Sequence, residues 1–180
     1  MKAAPAGSTV GHVRLTLSTD PLFICRVDAV VRRTTSNITH LSPDDVLLEA
    51  GPDAVAAVRH LRRASERSGL EPAAAITSTA GTLPARWLIH VHPPGYDLRT
   101  SSEHLLRLAY RNVLAAADAV GAETVAMRPL GTSAPYWPLE TAIRVAIGVL
   151  PNTPTGVREV RLVLRTAAAL EPFAEALARR

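Results

Sequence analysis

His90 and His92 stand two apart in an apolar, strand-like run, which puts both imidazoles on one face as half of a metal site. The sequence places no third histidine, cysteine or acid to complete it, so packing is the default role. Ser42-Pro43-Asp44-Asp45 carries two carboxylates suited to general acid–base work, and suits a capped turn still better. Just upstream, Arg32 and Arg33 offer paired donors for an anion, or partners for Asp44 and Asp45. Arg59, Arg63 and Arg67 recur every four residues, with Arg62 alongside. That spacing makes a basic stripe for phosphates or an acidic partner, and more often a solvated outer face. Cys25 closes an apolar run that starts at Leu22 and reads as a buried structural thiol. There is no Ser-His-Asp order, Walker loop or cysteine pair. Nothing points to nucleophilic catalysis, a metal or a cofactor.

The elements that must carry these residues follow from periodicity. Alternation over 13–17 and a more buried run over 27–31 (Val-Asp-Ala-Val-Val) predict strands. Gly51 and Pro52 open a helix running to about Ser68, with Gly69 closing it. Strands are expected at 73–77 and 87–91, joined by a turn at Gly81. Thr100 and Glu103 form a capping-box pattern before a helix that buries Leu106, Tyr110, Val113, Ala117 and Val120 and stops at Gly121. A strand over 124–127, a loop over 128–137 and a helix from Pro138 come next, with Ile143, Ile147 and Leu150 turned inward. Val160, Leu162 and Leu164 alternate along a last strand, and Leu170, Phe173 and Leu177 mark the closing helix. Strands separated by helices predict an α/β fold, a three-layer α/β/α sandwich around a mixed, mostly parallel sheet. Ligands of such sheets sit beyond the carboxyl ends of the strands, so the loops after Val31 and Met127 are the expected site.

A length of 180 residues suits one domain, with 1–9 as a flexible lead. The chain is 47% apolar but only 4% aromatic, so aliphatic side chains and alanine must fill the core. No apolar run approaches the roughly 20 residues of a membrane span, and the start lacks a secretory h-region. A lone cysteine suits the reducing cytoplasm. The net charge of +4 rests almost wholly on arginine, Lys2 being the only lysine. That is too modest to argue for nucleic acid, and arginine usage also follows from a GC-rich genome.

The segment 75–147 resembles the macro domain, a family that binds ADP-ribose and related nucleotides. Ile76-Thr77 and then Leu83-Pro84-Ala85-Arg86-Trp87-Leu88-Ile89-His90 look like its "IT…LPAKYVIH" strand pair. Leu105-Leu106 to Tyr110-Arg111-Asn112 resembles the "LL…YRN" helix. Residues 125–138 follow the "IAFPAIGTGVYGYP" segment at the same length. Upstream, Val27-Asp28-Ala29-Val30-Val31 is similar to "VDAIV", and Ala50-Gly51-Pro52 to "AGP". The order and spacing of these pieces over roughly 150 residues carry the resemblance. It implies a mixed sheet of about six strands, with 27–31 and 124–127 adjacent at the centre.

The departures fall where the resemblance puts a ligand. "VDAIV" continues in the family into "NAAN", whose last asparagine contacts the distal ribose and assists hydrolysis. Here Arg32-Arg33-Thr34-Thr35 follows, and Thr35 lacks the amide's paired donor and acceptor. The glycine-rich "GGGVDGAI" loop, which wraps the diphosphate and carries a catalytic aspartate, is replaced by the glycine-free 39–46. Gly131 and Thr132 match the second phosphate loop, while Ser133 and Tyr136 replace glycines; Tyr136 either covers a ligand or fills its cleft. Asp20, with Leu22 near it, takes the place of the acid that receives the adenine amino group. The resemblance thus implies a ligand set of Asp20, Leu22, Thr35, Gly131, Thr132, Ser133, Ala134 and Tyr136, with no catalytic residue matched. Three functions stay open: a nucleotide reader with weak or no hydrolase activity, a fold-retaining module for a protein partner, and an ADP-ribose-linked hydrolase whose acid has moved to Asp44 or Asp45.

Overall fold

Runs of valine, isoleucine and alanine with few polar interruptions become interior strands, because a parallel sheet is covered on both faces. The computed structural model describes residues 7–10, 13–42, 45–64, 69–97, 102–132 and 137–179. Strands β1 (Gly7–Val10), β2 (Val13–Ser18), β3 (Ala29–Arg33), β4 (Ala75–Thr79), β5 (Trp87–Val91), β6 (Thr124–Met127) and β7 (Glu159–Val163) form one sheet. Its order is β1-β2-β7-β6-β3-β5-β4. The five central strands are parallel, and antiparallel β1 and β4 close the edges. Strands β3 and β6 are neighbours at the centre, as expected, with Ala29 opposite Val125 and Val30 opposite Ala126.

Helices α1 (Val46–Glu49) and α2 (Gly51–Ala64) cover one face, and α3 (Glu103–Ala119), α4 (Leu139–Val149) and α5 (Ala167–Ala178) the other. Alternation along each strand divides the core between them. Val31, Ile89, Val125, Met127, Val160 and Leu162 face the α3–α5 layer. Val30, Leu88, Ala126 and Val163 face the α1–α2 layer. The three-layer α/β/α sandwich read from the sequence is the fold that forms.

Two local readings are corrected. Residues 7–9, taken as part of a flexible lead, belong to the edge strand Gly7–Val10 paired with β2, which brings the sheet to seven strands. Gly-Ser-Thr-Val carries no apolar alternation; the strand forms because its neighbour offers backbone partners. The start of α3 differs from the capping-box reading, the helix beginning at Glu103 behind Ser102, which makes no side-chain cap. Thr100 lies outside the described residues. At the first helical position Glu103 turns sideways instead, and hydrogen bonds from Arg144 of α4 and from Arg107 hold its carboxyl at about 2.

Two polar contacts fix the central strands relative to the loops above them. Asp28 accepts from the amides of Glu123 and Thr124 and from the Thr124 hydroxyl, at 3.0, 2.9 and 2.8 Å, joining the start of β3 to that of β6. Burial works against the charged form, yet these three donors keep the carboxyl below its ordinary value. At the other end of β6, the fully buried Tyr110 of α3 accepts from the Leu130 amide at 2.8 Å. Tyr110→Phe leaves that amide buried with no acceptor, a loss of about 1–3 kcal/mol. We expect a lower urea midpoint at unchanged slope; a midpoint equal to that of the parent would show that the phenol holds nothing.

Candidate functional site

The last turn of β3 sets an arginine into the sheet interior. Arg32 is 2% exposed and faces the α1–α2 layer, in register with His90 of β5. A guanidinium there needs a counter-charge and acceptors for its five donors. Asp45 supplies the charge, taking Nε and Nη2 at 2.6 and 2.7 Å, and the carbonyls of Ile38 and His40 accept from Nη1 and Nη2. Asp45 is at the same time the N-cap of α1, accepting from the Leu47 amide at 3.0 Å. Of the two uses open to Arg32 in the sequence, the structure realises the ion pair.

His90 completes this network. Its Nδ1 lies 3.4 Å from Arg32 Nη1, which can only donate, so Nδ1 accepts and Nε2 carries the proton. Nε2 donates to Ser78 Oγ at 2.8 Å, and Ser78 donates to the Thr79 carbonyl at 3.1 Å. The chain Arg32–His90–Ser78 crosses β3, β5 and β4. Burial, followed by the charge of Arg32, pushes the imidazole down to about 3. His92 is used differently, with Nδ1 at 2.7 Å from the Leu70 carbonyl. The two histidines are thus engaged in packing contacts, and no cluster of three metal-ligating side chains occurs among the described residues.

Above the carboxyl ends of the parallel strands a cleft of about 270 Å³ opens. After β2 it is lined by Pro21, Leu22 and Phe23, and at the end of β3 by Arg33. After β6 it takes Arg128, Pro129 and Leu130, and after β7 Arg165. Ser42, Asp45, Val46, Leu48 and Glu49 close it from the loop and α1. Several described amides of the segment below it donate within that segment. Thr39 donates to Asn37 Oδ1, His40 to the Asn37 carbonyl, Asp45 to the Ser42 carbonyl and Leu48 to the Asp45 carbonyl.

Of the residues singled out in the sequence, Leu22 lines this cleft. Asp20 precedes its rim, half-buried, and accepts from the Ser18 hydroxyl at 3.0 Å. Thr35 is exposed in the turn after β3, donating to the Asn37 carbonyl at 3.2 Å, and is not among the lining residues. Gly131 follows at φ +83°, where a Cβ would stand 2.9 Å from the Trp137 ring, and its carbonyl accepts from the Trp137 amide. Thr132 donates to the Pro129 carbonyl at 2.7 Å. Ser133, Ala134 and Tyr136, like Asp44 and Arg67, lie outside the described residues. Sequence reasoning missed Phe23, Leu48, Glu49, Arg128 and Arg165 as lining residues. Applying the strand-end rule to β2 and β7, and not only to β3 and β6, would have found Phe23 and Arg165.

The neutral, buried His90 makes stability depend on pH. Its folded value of about 3 lies below the ordinary 6.5, so the unfolded chain binds the extra proton between them. The contribution is complete above pH 6.5 and is lost as pH falls towards 3. His90→Gln, which can accept and donate without titrating, should remove on the order of 3 kcal/mol of pH dependence between pH 7 and 4.5. Urea midpoints across that range check this; parallel profiles for the two proteins would contradict it.

A model of the macro domain matches residues 46–146. A macro domain-containing protein of Streptomyces coelicolor is 36% identical over 152 residues, covering 83% of this chain and 90% of that protein. One from Streptomyces griseus is 35% identical over 157 residues, covering 86% and 89%. Among solved structures, the Oceanobacillus iheyensis macrodomain with ADP superposes with a TM-score of 0.86 at 19% identity, covering 98% of this chain and 96% of that one. The Trypanosoma brucei macrodomain in complex with ADP-ribose gives 0.75 at 19% identity, over 91% and 68%. From the family match, the identity to these relatives and the shared three-layer fold, this chain belongs to the macro domain family.

Proposed function

We propose that the cleft above β3, β6 and β7 binds ADP-ribose or a related nucleotide, with little or no hydrolysis. The observation that carries this reading is the make-up of the cleft: an apolar strip at Pro21, Leu22 and Phe23 beside the cationic Arg33, Arg128 and Arg165. A nucleotide presents an apolar base face and an anionic diphosphate, which is the chemistry such a cleft complements. Macrodomains of the same fold carry ADP and ADP-ribose. In this arrangement Asp20 accepts from the exocyclic amine of the base, and Gly131 and Thr132, in the loop after β6, adjoin the phosphates.

Weak hydrolysis follows from what the acid and the hydroxyl are doing. A general base must take a proton from a positioned water. Asp45 is buried, bound twice by Arg32 and capping α1, and Thr35 is spent on a turn carbonyl. A second reading, a module for a protein partner, draws on the exposed Phe23 (41%) and Leu48 (50%) at the cleft.

Calorimetric titration separates the two. We expect ADP-ribose to bind, with Asp20→Ala weakening adenine nucleotides more than ribose 5-phosphate. Turnover of ADP-ribosylated protein or O-acetyl-ADP-ribose should be absent or very slow. Absence of any binding heat would favour the protein-partner module. Turnover at the rate of an active macrodomain hydrolase, abolished by Asp44→Ala or Asp45→Ala, would establish a relocated acid.

A further inference from the structure

We infer that Arg32 is a positioning residue for the cleft, acting through Asp45 and helix α1 without touching the ligand; this rests on the nucleotide reading above. A guanidinium has five N–H donors, and in Arg32 each of them has an acceptor. Nε and Nη2 donate to the two Asp45 oxygens at 2.6 and 2.7 Å. Nη1 serves the Ile38 carbonyl at 2.7 Å and His90 Nδ1 at 3.4 Å, and Nη2 also reaches the His40 carbonyl. With its side chain 1% exposed, Arg32 has neither a donor nor a surface to offer a nucleotide. Asp45, at 3%, is likewise engaged with Arg32 and the Leu47 amide.

What the pair does reach is the wall of the cleft. Helix α1 is 4 residues long, far below the roughly 12 at which a helix holds its own shape in water, so its place depends on its two ends. At the first end, the Asp45 carboxylate accepts from the Leu47 amide at 3.0 Å and its carbonyl from Leu48 at 2.9 Å. That carboxylate is itself clamped to β3 by Arg32. At the second end, Thr82 donates its amide to the Ala50 carbonyl at 2.9 Å and its hydroxyl to the Glu49 carbonyl at 3.0 Å. Val46 and Leu47 are buried beneath, whereas Leu48 is 50% exposed, Glu49 is exposed, and both line the cleft. Side chains half in solvent have few neighbours to fix them, so their place follows the backbone that carries them. Through Asp45 that backbone takes its position from the sheet. A wall held in place before the ligand arrives lowers the entropic cost of binding.

The test replaces the pair by apolar side chains, Arg32→Met together with Asp45→Leu, which removes both charges at once and strands neither. Arg32→Lys is the conservative variant, keeping the charge but only three donors. Each intact chain is titrated with ADP-ribose by calorimetry, and its folding is checked by its urea midpoint. Amide hydrogen exchange is followed at Leu47 and Leu48 and, for reference, in β5 and α3. We expect the folded double variant to bind ADP-ribose about ten-fold more weakly, with faster exchange at Leu47 and Leu48 and parent-like exchange at the reference amides. Arg32→Lys should recover part of both. A pair that serves stability alone would lower the urea midpoint and leave the affinity of the folded protein unchanged. That outcome overturns the positioning role and leaves the nucleotide reading standing. Weaker binding with parent-like exchange at Leu47 and Leu48 also overturns it, since the loss then bypasses α1. If the double variant does not fold, Arg32→Lys decides: parent-like affinity overturns the positioning role, and weaker binding with faster exchange at Leu47 supports it. If the parent gives no heat with ADP-ribose, the nucleotide reading fails. Exchange at Leu47 and Leu48 then decides the positioning role alone, faster exchange in the variants supporting it and unchanged exchange overturning it.

Discussion

A guanidinium inside a sheet dictates its surroundings. Arg32 has to be paired, because an unpaired charge in the interior costs several kcal/mol and a broken pair leaves that penalty standing. Asp45 must therefore point inward, which sets where α1 begins, and the carbonyls of Ile38 and His40 must turn the same way. His90 has to remain neutral beside the cation, and Ser78 receives its proton on the neighbouring edge strand. One side chain thereby ties β3, β5, β4 and the first helix into a single polar unit beneath the cleft.

The same constraint shapes the mouth of the cleft. A loop that bonds to itself and to Arg32 is a firm floor for it. The side chains that line it project from strand ends, where the parallel arrangement of β2, β7, β6 and β3 collects four loops on one edge of the sheet. Tyr110 and Trp137 hold the loop after β6 from beneath. Tyr110 accepts from the Leu130 amide, and the Trp137 ring packs on Gly131 while its Nε1 donates to the Pro94 carbonyl at 3.0 Å.

Much of the frame was legible in the chain itself. The strands at 87–91 and 124–127 carry their apolar runs in plain sight, and α3 shows its buried stripe at Leu106, Tyr110, Val113 and Ala117. These signals are local, since burial of one face repeats with the period of the element. What local pattern could not show is β1, whose Gly-Ser-Thr-Val has no apolar period and depends on the backbone of β2. Nor could it show the start of α3, where Glu103 found partners at Arg107 and at the distant Arg144.

The amino-acid sequence by itself determined the layer architecture, the adjacency of β3 and β6 through family likeness, and the loss of glycine and asparagine from the first loop. These rest on residue types and on spacings of a few positions. Only the tertiary structure decided between the two uses of Arg32, because choosing an anion or Asp45 depends on which groups a 13-residue separation brings within 2.6 Å. It also decided that Arg165 joins Arg33 and Arg128. That meeting comes from the order β7-β6-β3 in the sheet, and strand order is settled by long-range packing that no short stretch of sequence encodes.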